Sequence, residues 1–240
     1  MLKEYKLYKG KELIRFDDER HWFYDGKGNP LLSVTAITGV VDKSPALMGW
    51  AVNQMGDYLL NSGKKKITQE IIEKAKKEYR RIKREAADVG SLIHEWVSDW
   101  ILGKEPEMPD DERVINGITA FLKFQKEHKI KWLESERIVY SRKYKFAGIL
   151  DAVGKQGKDL LLVDFKSSNG IYEEMRFQVA GYQIAWEEET GKKFDKRLIL
   201  RFGKNDGEFE VFELNDDEKD KKAFLACLTL KRRLKELSKK

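Results

Sequence analysis

Residues Phe146 to Gln183 constrain the fold more than any other stretch. They hold two strand-like apolar runs, each interrupted by an acid. Asp151 ends Gly148–Ile149–Leu150–Asp151, and Asp164 follows Leu160–Leu161–Leu162–Val163. The intervening Gly154–Lys155–Gln156–Gly157–Lys158 reads as a tight turn, so the two runs are expected to pair as a hairpin with Asp151 near Asp164. Side chains two apart on a strand share a face. Asp164 and Lys166 therefore point one way, and Phe165 points the other way into apolar packing. Like charges brought together in apolar surroundings repel unless a cation or a proton intervenes. Two carboxylates with an amine alongside point to a divalent-metal site. The other reading of the same residues is a solvated sheet face with an ordinary salt bridge.

At 240 residues, with six Trp and twelve Phe, the chain can bury one substantial core. Charged residues make up 37% of it, and the formal net charge is +6. That balance favours a polyanionic partner. The basic residues are clustered: Lys64 to Glu85 carries ten basic against four acidic residues, and Lys231 to Lys240 six against one. The single cysteine, Cys227, excludes an intrachain disulfide and a four-cysteine zinc or iron–sulfur centre within one chain. The N-terminus has no apolar signal segment, and no run is long enough to span a membrane. A reducing, cytoplasmic location is expected.

Residues 1–40 read as short strands and turns, with Leu31–Thr38 a strand or a strand entering a helix. Ser44–Pro45 opens a helix that carries Trp50, either a packing residue or a base contact. Thr68–Gln69–Glu70 opens the next helix. Its Lys74, Lys77, Arg81 and Arg84 follow helical spacing, as a phosphate-facing ridge or as a solvated face of glutamate–lysine pairs. Residues 86–102 continue or restart helix. There His94 sits in an apolar stripe with Val97 and Ile101, a place where a lone histidine is ordinarily a core residue and otherwise a ligand. Leu133–Ser141 reads as a strand, with Glu134 and Glu136 on one face and Arg137 and Val139 on the other. Glu136 either faces the acidic site or pairs with a lysine. Gln178 and Tyr182 share one face of a helix over 173–189, in ordinary hydrogen bonding or in orienting a substrate group.

The order and spacing of five motifs resemble the PD-(D/E)XK nuclease superfamily, in its RecB-type, phage and mitochondrial-genome-maintenance exonuclease-like branch. They are G-S-L-I-H at 90–94, E-R-I-V-Y-S at 136–141, G-I-L-D at 148–151, D-F-K at 164–166 and Q-V-A-G-Y at 178–182. The segment L-L-S-V-T-A-I at 31–37 extends the match. The resemblance implies an α/β fold: a restriction-endonuclease-like mixed sheet flanked by helices, with a mainly helical N-terminal elaboration. The resemblance falls within a single nuclease domain, read along the chain as a strand/helix elaboration over 1–85, a catalytic core over 86–214 and a basic C-terminal helix over 215–240. It also implies that Asp151, Asp164 and His94 bind Mg²⁺ or Mn²⁺, and that Lys166 assists the attacking water or stabilises developing charge. Gln178 and Tyr182 would support the geometry, and Glu136 would organise metal or water. The iron–sulfur cysteines of some members are missing. The expected activity is a metal-dependent DNA exonuclease of replication, recombination or repair. A structure-selective endonuclease and a non-catalytic nucleic-acid-binding protein are the alternatives.

Overall fold

The two acid-bearing runs do pair as antiparallel strands, closing through a turn at Gly157–Lys158 with Gln156 opposite Asp159. A computed structural model of the chain describes residues 1–64 and 66–238; Lys65, Lys239 and Lys240, part of the two basic stretches, lie outside it. The chain divides into two compact units. One is Met1–Val41 with Ile93–Lys240, and the other is Asp42–Leu92.

In chain order the elements are β1 (Leu2–Leu7), β2 (Glu12–Asp17), β3 (Trp22–Asp25), β4 (Pro30–Ser33), α1 (Val34–Thr38), α2 (Ser44–Asn61), α3 (Gln69–Ile101), α4 (Glu112–His128), β5 (Lys131–Ser141), β6 (Phe146–Gln156), β7 (Asp159–Lys166), α5 (Glu173–Thr190), β8 (Lys196–Phe202), β9 (Phe209–Glu213) and α6 (Asp217–Leu237). The N-terminal region is mainly β-strand, which agrees with the short strands and turns read over residues 1–40 and corrects the expectation of a mainly helical elaboration. Turn chemistry explains why. Asp17 Oδ1 accepts from the backbone N–H groups of Glu19 and Arg20, and Asp25 Oδ1 from those of Lys27 and Asn29. Such side-chain-to-backbone bonds close turns and leave the flanking residues extended. Ser33 then caps α1 by accepting from Ala36 N at 3.0 Å.

The strands form one mixed sheet ordered β1-β2-β3-β4-β6-β7-β8-β9, with β5 on the remaining edge of β6. The pairs β4–β6 and β7–β8 are parallel and the others antiparallel. This partly parallel sheet flanked by helices matches a restriction-endonuclease-like core. Its decisive feature is a fork along β6. One edge of β6 is taken up by β5. The other is shared: β4 pairs at Phe146 and Ala147, and β7 pairs from Ala152 onward. Gly148 to Asp151 fall in the gap between β4 and β7.

Two cores hold the fork in place. On one face α1, α5 and α6 bury Val34, Val139, Phe146, Leu150, Leu162, Val179 and Phe224. On the other, Phe121 of α4 packs its ring against Trp132, Phe165 and Phe202. Burying aromatic side chains of this size supplies about 1.5–3 kcal/mol apiece before entropy is counted. Gly117 of α4 lets α3 approach closely: a Cβ there would come within 2.3 Å of Ile93 Cδ1. Ile93 is fully buried and immediately precedes His94, so this contact fixes the turn that carries the histidine.

In the second unit, Trp50 of α2 meets Tyr79 of α3 edge-on at 6.3 Å. Ser44 is the first helical residue of α2, in keeping with a helix opened by Ser44–Pro45.

Candidate metal centre

Asp151 lies one step beyond the last β6–β7 pair, Ala152 with Val163. The ladder stops there and a side chain replaces it: Asp151 Oδ2 accepts from Phe165 N at 2.6 Å. The next residues of β7 obey the expected alternation. Phe165 enters the aromatic core, and Lys166 Nζ bonds Asp164 Oδ2 on the opposite face. Asp164 is only 1% exposed, and its Oδ1 has no hydrogen-bond partner among the described residues. An unpartnered oxygen buried this deeply is costly in the absence of a ligand.

Glu136 reaches the same place by breaking the rules of its strand. Ser135 pairs with Ala152 and Arg137 with Leu150, which sets Glu136 opposite Asp151. Its φ is 48°, the left-handed region that glycine favours. The resulting kink corrects the face assignment made from alternation. Glu134 and Arg137 do not lie on opposite faces; they form an ion pair at 2.6 Å. Glu134 also accepts from Trp186 Nε1 at 2.9 Å, so its carboxylate turns towards α5 and only Glu136 faces Asp151.

From α3, His94 completes the group. His94, Glu136 and Asp151 each offer one ligand atom, and these atoms lie within 4.8 Å of one another. The expected ligand set was His94, Asp151 and Asp164. The structure brings Glu136 into the cluster, and Asp164 stands outside it, joined to Lys166.

The electrostatics suit a cation. Burial, helped by the Lys166 charge, lowers the His94 pKa to about 4. At neutral pH its imidazole is therefore an uncharged donor, the form that ligates metals. Loss of water around its carboxylate, and then the charge of Asp151, raise Glu136 to about 8, although the residue as a whole is exposed and solvent screens part of the effect. Burial also raises Asp151, and it raises Asp164 to about 6 although Lys166 pulls the other way. Burial opposes the charge of Lys166, but Asp164 and Asp151 more than offset it, so the ammonium is held above the ordinary lysine range. Three acids that resist ionising together gain most from a divalent ion. One nitrogen with oxygen donors fits Mg²⁺ or Mn²⁺, the imidazole being better suited to Mn²⁺.

This has a measurable consequence for the metal-free protein. Folded Glu136 keeps its proton to about pH 8, whereas its ordinary pKa is 4.5. Between those values the folded state binds more protons than the unfolded one, so stability falls as pH rises. The contribution is complete below pH 4.5 and lost as pH passes 8. The melting temperature in EDTA is expected to fall more steeply across this window in the wild type than in Glu136→Gln. Saturating Mn²⁺ should remove the difference.

Around the cluster, Gln178 Nε2 donates to Tyr182 Oη at 2.9 Å, joining the two residues placed on one face of α5. Tyr182 is buried, and burial followed by the charges of Asp151 and Asp164 pushes its pKa well up. It is therefore a neutral hydroxyl. Gly148, in the gap of β6, makes room for it: a Cβ there would lie 2.7 Å from Tyr182 Cε1. Ser98 and Ser135 also border the site and had no sequence signal. Ser135 Oγ lies 3.1 Å from both Ser98 Oγ and the Asp151 carbonyl oxygen.

The basic ridge is divided. Lys74 pairs with Glu70 at 2.7 Å, and Arg81 with Glu78 at 2.6 Å and Glu85 at 2.5 Å. Lys77 and Arg84 are exposed and make no ion pair among the described residues. No helix among those residues is long and apolar enough to cross a membrane.

No protein-family model matches the chain, and no curated protein does. Among solved structures there is a distant likeness to a crystal structure of LHK-Exo in complex with dAMP. It covers 86% of this chain and 94% of that one, at 14% identity and a TM-score of 0.39. A crystal structure of an alkaline exonuclease (LHK-Exo) from Laribacter hongkongensis matches 64% of this chain and 90% of its own, at 16% identity and a TM-score of 0.32. At that distance the chemistry has to be read from this chain's own residues.

Proposed function

We propose that the chain is a Mg²⁺- or Mn²⁺-dependent deoxyribonuclease that hydrolyses phosphodiester bonds from DNA ends. The observation that carries this reading is the convergence of His94, Glu136 and Asp151 next to the buried Asp164–Lys166 pair. His94, Glu136 and Asp151 would hold the cation, with Asp164 Oδ1 a further oxygen donor. A bound divalent ion supplies Lewis-acid polarisation of a phosphate oxygen and makes water more acidic. Neutral His94 adds no positive charge of its own. Lys166, with its raised pKa, serves as a fixed cation facing negative charge that builds on the phosphate oxygens; its pKa makes it a poor proton acceptor at neutral pH. Gln178 holds the Tyr182 hydroxyl in one orientation.

The net charge of +6 supports a polyanionic substrate. We assign phosphate contacts first to Lys77 and Arg84. Lys74 and Arg81 would have to give up glutamate partners, and Trp50 is already in contact with Tyr79. The preference for ends follows from the order of the motifs between Gly90 and Tyr182, which is that of the exonuclease branch they resemble.

End-labelled single-stranded, duplex and flapped DNA test the reading, each with free, 5′-blocked or 3′-blocked ends. Digestion from one free end is expected with Mg²⁺ or Mn²⁺, and none in EDTA. Internal cutting of doubly blocked DNA would make the enzyme an endonuclease. Intact DNA under every condition would refute the reading.

A further inference from the structure

Glu136 occupies the left-handed backbone region, which is strained for a residue with a side chain. Its immediate neighbours are all tethered. Before it, Glu134 accepts from Trp186 Nε1 and from Arg137 Nη1. After it, Arg137 also reaches Glu189 Oε2 at 3.1 Å. Ser135 makes the most telling contact. Its hydroxyl lies 3.1 Å from the Asp151 carbonyl oxygen and 3.1 Å from Ser98 Oγ. Ser135 Oγ is the donor towards both acceptors, so its one proton is shared between the Asp151 carbonyl oxygen and Ser98 Oγ. Ser98 is buried and lies one helical turn after His94. One half-buried hydroxyl thus ties together the three elements of the cluster. It acts at the residue beside Glu136, at Asp151 itself and one turn from His94.

We propose that Ser135 is a positioning residue for the metal centre. It locks β5, β6 and α3 in the spacing that lets Glu136, Asp151 and His94 share one cation, while the Glu134–Arg137 pair keeps Glu136 in its left-handed conformation. The inference rests on reading those three residues as a metal site. Groups that orient metal ligands typically contribute about 10–100-fold in affinity.

Calorimetric titration of the metal-free full chain with MnCl₂ tests both ideas separately. Ser135→Ala is expected to weaken Mn²⁺ binding by about tenfold or more. Ser135→Thr keeps the hydroxyl and should stay within about threefold of wild type, and the Mn²⁺ electron paramagnetic resonance spectrum should change only in the alanine variant. A general loss of packing would lower the melting temperature without this hydroxyl-dependent difference. Ser98→Ala removes the same link from the helix side, is expected to weaken binding in the same direction and decides the matter if Ser135→Ala does not fold. A wild-type chain that binds no Mn²⁺ would overturn the metal site itself. A wild type that binds, with Ser135→Ala or its Ser98→Ala substitute binding equally well, would overturn the positioning role alone.

Discussion

Lys166→Ala is expected to reduce DNA cleavage by about 10²–10⁴-fold, the range for removing a fixed electrostatic or proton-handling group from a transition state. Mn²⁺ binding should survive, because the amine is not a ligand and its charge opposes a cation at the site. DNA binding should also survive, since one buried ammonium adds little to a surface-wide attraction. The variant should remain folded. Removing one partner of a buried ion pair typically costs about 3–5 kcal/mol because it strands the other charge. Asp164 has a way out: with Lys166 present it already titrates near 6, and without Lys166 it moves higher and takes up a proton at neutral pH. Stability in EDTA should therefore fall most above pH 6 and least below it. Cleavage assays, Mn²⁺ titration and thermal melts of the same preparation check the pattern. Cleavage within tenfold of wild type would show that Lys166 merely neutralises Asp164.

The hairpin that carries these residues was legible because its signal is local. Two short apolar runs, whose side chains alternate between faces once the chain is extended, a glycine-bearing turn and two interrupting acids leave few other folds. The placement of Phe165 inside and of Lys166 beside Asp164 follows from the same alternation. Glu136 was legible only as a candidate. Alternation put Glu134 on its face, and the structure separates the two because residue 136 has a positive φ. Glycine, asparagine and aspartate advertise that conformation; glutamate does not. The convergence of His94 with Glu136 is a tertiary event, set by Ile93 against Gly117 and by the fork of the sheet, and no spacing along the chain encodes it. The N-terminal strands were harder to weigh because they are only four to six residues long and largely exposed at β1. The basic ridge shows the limit of helical periodicity. The spacing that aligns Lys74 and Arg81 also brings Glu70, Glu78 and Glu85 within reach of them.

Asp151→Asn should move stability and metal binding in opposite directions. The asparagine keeps a carbonyl oxygen where Asp151 accepts from Phe165 N, so the one tether that ends the ladder can persist. It removes a carboxylate whose burial raises its own pKa and whose charge raises those of Glu136 and Asp164. In EDTA at pH 7–8 the variant should therefore melt higher than the wild type, by a few degrees if about 1 kcal/mol of repulsion is relieved. With Mn²⁺ the order should reverse. At 100 times its dissociation constant a ligand stabilises the folded state by about 2.7 kcal/mol, or roughly 5–11 °C for a chain of this size. A variant lacking the central carboxylate loses that gain and its cleavage activity with it. A variant that melts lower than wild type in EDTA and still binds Mn²⁺ would make Asp151 a structural acid, required for the turn into Phe165 and not for a cation. The crossing of the two melting curves is the sharper readout, because a fold that merely tolerates a buried aspartate has no reason to become more stable when the charge is removed and less responsive to metal at the same time.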